Sequence, residues 1–360
     1  MKVAIVLGTR PEIIKMSPVM RELEKKCSDF FVLHTGQHYS YNLDRVFFEQ
    51  LELPQPKYNL QVGSGSHGEE TGKMLIGIEK VLLEERPDLV LVEGDTNSVL
   101  AGALAAVKLH IRVGHVEAGL RSYDRQMPEE VNRILADHCS DYLFAPTPKA
   151  KQILLGEGVP EEKIFITGNT IVDAVYQNLH IARQKANALD TLHLTPKKYF
   201  LVTLHRQENV DNRSRFASIL EGLARIADEL DVPVVYPIHP RSRKMMNHFA
   251  LSPRNLTLVE PVDFLSFLQL ESSAQLILTD SGGVQEEACI LGVPCVTLRD
   301  NTERPETIEV GSNILAGASS DDILNCARSM LTKQGGWPNP FGDGRAATRI
   351  VEAIEGGGCS

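Results

Sequence analysis

The sequence predicts an α/β protein of two doubly wound, Rossmann-like parallel-sheet domains that share one ligand site. Three observations predict it. Short continuous runs of Val, Ile and Leu alternate along the chain with longer amphipathic segments, as parallel strands covered by helices on both faces require. At 360 residues the chain exceeds the size at which one core usually stops growing. Twice, once near each end, an apolar strand runs straight into a glycine-bearing helix start, and two such mouths point to one ligand held between the halves.

In the first half the strand-like runs are Val3 to Leu7, Phe30 to His34, Leu89 to Val92, Val113 to Val116, Tyr142 to Ala145 and Ile164 to Thr167. In the second half they are Phe200 to Leu204, Val234 to Ile238, Leu256 to Val259, Leu276 to Leu278 and Cys295 to Leu298. The boundary is expected after Gly168-Asn-Thr170, giving domains over 1–170 and 171–343. A long polar helix from about Val172 to Ala188 leads from it to a fresh strand. The last helix, over 344–356, follows Pro338, Pro340 and Gly342 with no strand behind it, and is expected to pack back onto the first domain.

The clearer junction is Leu276-Ile-Leu-Thr-Asp-Ser-Gly-Gly-Val-Gln-Glu-Glu-Ala288. Its glycines let a backbone come close, and the free N–H groups of a first helical turn carry partial positive charge suited to a phosphate. Near the N-terminus Val3 to Leu7 feeds Gly8-Thr-Arg10 and a helix opened by Pro11.

Hydrophobic content of 42% and charged content of 23% are ordinary for a globular protein, and a net charge of −10 argues against nucleic acid as a partner. The six cysteines show no CxxC pair or metal-finger spacing and read as free thiols in a reducing cytoplasm. No apolar run reaches about 18 residues, so neither a membrane span nor a signal peptide is expected. The final Gly-Gly-Gly-Cys-Ser reads as a frayed tail.

Ligands collect beyond the carboxyl ends of parallel strands. The polar residues there are Arg10, Gln37-His38, Asp95-Thr96, Glu117, Thr147, Asn169, His205-Arg206, His239, Glu260 and Asp280-Ser281. Each alone is ordinarily a cap or turn residue. Together, Arg10 and Lys15 flank the first mouth while Arg206 and Arg304 flank the second, four placed cations in an acidic protein. Arg304 lies between two carboxylates, where ion pairing competes with ligand binding. Glu129 and Glu130 open a helix after Pro128, where a carboxylate is ordinarily a dipole partner. No Gly-x-Gly-x-x-Gly follows the first strand and no Walker motif occurs, so NAD and ATP are disfavoured, and no metal-ligand spacing is present.

Taken together, Gly8-Thr-Arg-Pro-Glu-Ile-Ile-Lys15, Glu93-Gly-Asp-Thr96, His115-Val-Glu-Ala-Gly-Leu-Arg121, Pro128-Glu-Glu-Val-Asn-Arg133, Thr203-Leu-His-Arg206, Thr279-Asp-Ser-Gly-Gly-Val-Gln-Glu-Glu287 and Thr302-Glu-Arg-Pro-Glu306 resemble the non-hydrolysing UDP-N-acetylglucosamine 2-epimerases. Seven motifs in order, over residues 1 to about 354, make the resemblance specific. It implies the two-domain GT-B architecture with a UDP-binding C-terminal domain, no cofactor, a homodimer, and interconversion of UDP-GlcNAc and UDP-ManNAc at C2. It also implies that Asp95, Glu117 and Glu129 are the essential carboxylates, with Arg133 beside them. By the same resemblance Arg10, Lys15, His205, Ser281, Gly282, Gly283, Glu287 and Arg304 hold UDP or the sugar; from their strand-end positions, Arg206 and His239 are further candidates for binding and His205 is a hydrogen-bond partner of the leaving group.

Relatives acting on UDP-2,3-diacetamido sugars tend to read Gly-Ala-Arg-Pro-Gln-Phe in the first motif, so Gly-Thr-Arg-Pro-Glu-Ile favours UDP-GlcNAc. Bacterial members often bind a second UDP-GlcNAc through an arginine in a segment that here reads Val62-Gly-Ser-Gly-Ser-His-Gly68. The C2 proton is not next to a carbonyl, so it must first be acidified. Expelling UDP from C1 as the proton leaves gives 2-acetamidoglucal, and cations around the diphosphate favour that step. A hydrolysing epimerase releasing ManNAc, a GT-B glycosyltransferase using a UDP-sugar and a non-catalytic nucleotide-sugar module remain as alternatives.

Overall fold

The computed structural model describes residues 1–36, 41–333 and 335–356. Gln37, His38 and the tail over 357–360 lie outside them. The chain divides into two compact units, Met1–Tyr176 with Phe341–Ser360, and Gln177–Pro340. That division falls within the helix Thr170–Lys185, whereas the sequence reading breaks the chain after Thr170.

The first unit holds a seven-stranded parallel sheet of β1 (Lys2–Leu7), β2 (Asp29–His34), β3 (Tyr58–Asn59), β4 (Leu89–Glu93), β5 (Arg112–Val116), β6 (Tyr142–Ala145) and β7 (Ile164–Ile166). Their order is β3-β2-β1-β4-β5-β6-β7, so the winding reverses between β1 and β4. In β1, Val3 to Leu7 are fully buried, which is why the strand is apolar on both faces. The helix Arg10–Lys25 starts where the Glu12 carboxylate turns back to accept from the Gly8 and Thr9 amides at 2.8 and 2.6 Å. This acid on the amides does the work of a capping box. The helix Ala346–Gly356 buries Ala347, Ile350, Val351 and Ile354 and packs on Arg10–Lys25 within the same unit. Each of the isoleucine and valine side chains contributes about 1.5–3 kcal/mol of burial.

The second unit holds β8 (Phe200–Thr203), β9 (Val234–Pro237), β10 (Leu256–Val259), β11 (Leu276–Thr279), β12 (Cys295–Thr297) and β13 (Asn313–Leu315), all parallel, in the order β10-β9-β8-β11-β12-β13. Here the reversal lies between β8 and β11. The cores of both units are sheet faces covered by helices, one built around Phe200, Phe216, Ile219 and Leu223, the other around Val6, Val90, Val92 and Ile78. Strands β3 and β13, of two and three residues, add an edge to each sheet that the apolar runs do not reveal. Among the described residues no helix is long and apolar enough to cross a membrane.

Candidate active site

The reversal points place two clusters of polar side chains, one in each unit, at the carboxyl ends of the strands. In the first unit β1 and β4 end side by side. Gly8 is required there by close approach: a Cβ would lie 2.1 Å from Thr35 Oγ1 and 2.3 Å from Ser98 Oγ. One turn into the helix, Lys15 Nζ lies 2.7 Å from Glu117 Oε2 and 3.2 Å from Glu93 Oε1. Asn169 donates to the other Glu117 oxygen at 2.8 Å. Glu117 sits just past β5 with φ of 68°, a left-handed conformation that costs a non-glycine residue about 1–2 kcal/mol.

Burial alone would raise Glu117, but the Lys15 ammonium and hydrogen bonds from Lys15, Glu93 and Asn169 outweigh it and hold the carboxyl at about 2. Glu93 goes the other way. Burial pushes it well above the carboxylate range, and neighbouring Glu117 adds to that against the pull of Lys15. Asp95 is tied to Arg133, which also reaches Glu130 at 3.0 Å. Asn132 donates to the Asp95 carbonyl at 2.9 Å, so both ends of that residue are fixed from the helix Pro128–Cys139.

Two adjacent glutamates on that helix have different fates. Glu130 is buried and accepts from the Ser122 amide, the Ser122 hydroxyl and the Tyr123 amide at 2.8, 2.9 and 3.0 Å. Burial would raise it, yet these bonds and Arg133 lower it. Glu129, the one singled out by the resemblance, is exposed on the first turn. Arg10 is exposed as well, with its guanidinium 6.0 Å from the Phe47 ring.

Beneath this cluster His115 Nε2 faces the Gly94 carbonyl at 2.8 Å and Nδ1 faces Asp137 at 2.7 Å. Asp137 also meets Arg121 at 2.7 Å and the Gly119 amide at 3.2 Å, so it is an anion and an acceptor. Both His115 nitrogens must therefore donate, and the ring is an imidazolium. Burial disfavours that charge, but Asp137 overrides it and raises the His115 pKa.

In the second unit β8 and β11 end side by side, and buried Asp280 accepts from the His205 and Arg206 amides at 3.0 and 2.8 Å. His205 Nδ1 lies 3.1 Å from Asp280 Oδ1. Its ring is 5.4 Å from that of His239, which is lowered by burial and then by His205. The helix Gly282–Leu291 begins after Ser281, which gives it no side-chain cap. A Cβ on Gly282 would meet nothing nearer than Glu303 Oε2 at 3.7 Å, and one on Gly283 nothing nearer than Ser281 Oγ at 4.0 Å. The fold thus has room for side chains at both positions, and with glycine there the first-turn amides stay uncovered.

Arg304 Nε lies 2.5 Å from Glu286 Oε1, the ion pairing that competes with a ligand role. Glu287 faces Glu271, a fully buried acid on the helix Phe264–Ser273. Burial raises Glu287 to about 7, and burial with Glu287 alongside raises Glu271 further out of the carboxylate range. Among the described residues no group of three or more His, Cys, Asp or Glu is set to hold a metal ion.

The structure thus brings Lys15 to Glu117 and Asp95 to Arg133 in one unit, and His205, Arg206, His239 and the Ser281–Gly283 turn around Asp280 in the other. Sequence reasoning missed Glu93 and Glu271 as members of acid pairs. Each is a carboxylate closing an apolar run, Leu-Val-Leu-Val-Glu93 and Phe-Leu-Gln-Leu-Glu271, and that was the available signal.

Two doubly wound domains, one with an acid cluster and one with an uncapped glycine helix start at its reversal point, define a Rossmann-like protein of the GT-B type. The family model described as UDP-N-acetylglucosamine 2-epimerase matches residues 21–355. A UDP-N-acetylglucosamine 2-epimerase of Methanocaldococcus jannaschii is 58% identical over 98% of this chain and 99% of its own length. A solved structure of UDP-GlcNAc 2-epimerase from that organism superposes with a TM-score of 0.91 at 57% identity, covering 99% of each chain. A UDP-2,3-diacetamido-2,3-dideoxy-D-glucuronate 2-epimerase of Pseudomonas aeruginosa is 43% identical over 98% of this chain and 99% of its own length. The chain belongs to the UDP-N-acetylglucosamine 2-epimerase family.

Proposed function

We propose that the protein interconverts UDP-GlcNAc and UDP-ManNAc without net hydrolysis, by eliminating UDP to 2-acetamidoglucal and adding it back after protonation of the opposite face. The observation that carries this reading is the buried Lys15–Glu117–Glu93 cluster beside Asp95–Arg133, with Glu117 lowered and Glu93 raised at the adjoining ends of β4 and β5. A solved structure of the M. jannaschii enzyme, 58% identical with a TM-score of 0.85 over 99% of each chain, is described as a complex with UDP-GlcNAc and UDP.

In this reading the open amides of Gly282 and Gly283, with Arg206, His205, Arg10 and Arg304, stabilise the negative charge that develops on the departing diphosphate. His239 and Ser281 border the same turn, and Glu287 holds the nucleotide's hydroxyls. Asp95, Glu117 and Glu129 share removal and return of the C2 proton. The Arg133 link orients Asp95, and Lys15 keeps Glu117 ionised. Engagement of Lys15 by two carboxylates supports a role on the sugar side more than on the phosphates. The same reading gives a homodimer, supported by exposed Ile76 and Leu83 on the helix His67–Glu85 and Val131 and Leu135 on Pro128–Cys139.

The test is to incubate the protein with UDP-GlcNAc in deuterated water and resolve the products. Deuterium at C2 of both nucleotide sugars, with no free ManNAc, is expected. Free ManNAc would favour a hydrolysing enzyme, and inertness without an added acceptor a transferase.

A further inference from the structure

The acid cluster contains one carboxyl that the proposed chemistry does not use. Glu93 closes β4 directly before Gly94 and Asp95, and only 2% of it is exposed. One Lys15 ammonium serves both Glu93 and Glu117, at 3.2 and 2.7 Å, which sets the two carboxyls close together. From the helix Arg10–Lys25 the charged groups facing it are Lys15 and Glu12, the latter taken up by the Gly8, Thr9 and Thr96 donors. From β5 and its end come Glu117 and, behind it, the His115 imidazolium. Two buried carboxyls gathered on one ammonium do not both ionise, so one of them carries a proton.

We propose that Glu93 and Glu117 work as a single carboxyl pair holding one proton beneath Lys15, with Glu93 keeping the proton while Glu117 stays ionised toward the sugar. This rests on the role given to Glu117 above. Geometry decides which acid is the donor. Glu117 already receives Lys15 and Asn169, one on each oxygen, so it is the better-solvated anion, while Glu93 has the longer ion pair and the deeper position. Moving the proton breaks one O–H bond on Glu93 and forms one on Glu117, with the charge of the pair unchanged. Glu117 is thereby able to turn from acceptor to donor without water entering, which suits an intermediate that must be kept dry. Glu93 is a positioning residue in this scheme, acting through Glu117.

The test compares E93Q, E93D and E117Q. Glutamine keeps the shape of the protonated acid and can donate to Glu117, but it carries no exchangeable acid proton. E93Q is expected to bind UDP and keep KM, to lose about 100-fold in kcat, and to shift the pH profile of kcat. E93D, which restores an acid, is expected to regain part of the rate. An infrared carbonyl band of a protonated carboxylic acid at neutral pH should be present in the wild type and reduced in E93Q. An E93Q enzyme with the wild-type pH profile, rate and infrared band would overturn the pair. If E117Q itself turns over normally, the role assigned to Glu117 fails, independently of the infrared result on Glu93.

Discussion

Replacing Glu287 by glutamine tests the second acid pair through the pH dependence of folding. Glu287 rises from 4.5 to about 7 because it is buried, with the charge of Glu286 adding to the rise and the hydrogen bond to Glu271, an acid that is itself raised, opposing it. The folded chain therefore holds more protons than the unfolded chain between those values, and stability falls as pH rises through that window. About 2.5 pK units at about 1.4 kcal/mol each amount to roughly 3–4 kcal/mol from Glu287 over the full window, of which up to about 3 kcal/mol falls between pH 5 and pH 8, with Glu271 acting in the same direction. For a domain of this size that is a drop of roughly 6–12 °C in the thermal midpoint between pH 5 and pH 8. A glutamine at this position has no proton to lose, so the variant's decline should be smaller by about that amount. Trp337, the only tryptophan, lies in the same unit and donates to the Cys289 carbonyl at 2.9 Å, so its fluorescence reports this unfolding. Parallel pH curves for the two proteins, measured without nucleotide, would refute the burial argument.

Two further substitutions probe the first unit. Gly8→Ala drives a methyl between the Thr35 and Ser98 hydroxyls, which are 2.8 Å apart, and should cost about 1–3 kcal/mol in denaturant unfolding; a midpoint within error of the wild type would show that the pocket gives way. Lys15→Met strands the Glu117 anion, with protonated Glu93 beside it, and should cost about 3–5 kcal/mol at neutral pH. That gap should narrow as the pH is lowered and Glu117 protonates, and a pH-independent gap would speak against the charge account.

Much of the fold is legible because parallel strands buried on both faces must be apolar throughout, as Val3 to Leu7 and Leu276 to Leu278 are. Tyr58–Asn59 and Asn313–Leu315 escape because each is short and includes an asparagine, so no continuous apolar run marks it. The strand-end rule finds Asp95, Glu117, Asn169 and His205 for the same topological reason that it lists many bystanders. It does not separate Glu129 from Glu130, since neighbouring positions on a helix differ by about 100° in direction and only packing tells which turns inward. Nor does it see that Glu93 is paired, because a partner 24 positions away in sequence meets it only once β4 and β5 align, with Glu93 opposite Val116.

The return of residues 341–356 to the first unit gives the nascent chain an unusual schedule. At about 5–20 residues per second, roughly 10–30 s pass between emergence of Tyr176 and emergence of Phe341. Throughout that interval the helix Arg10–Lys25 waits on the ribosome with the surface meant for Ile350, Val351 and Ile354 still wet. The unit translated later is uninterrupted in sequence and is free to finish first, so the amino-terminal half is the last to be sealed.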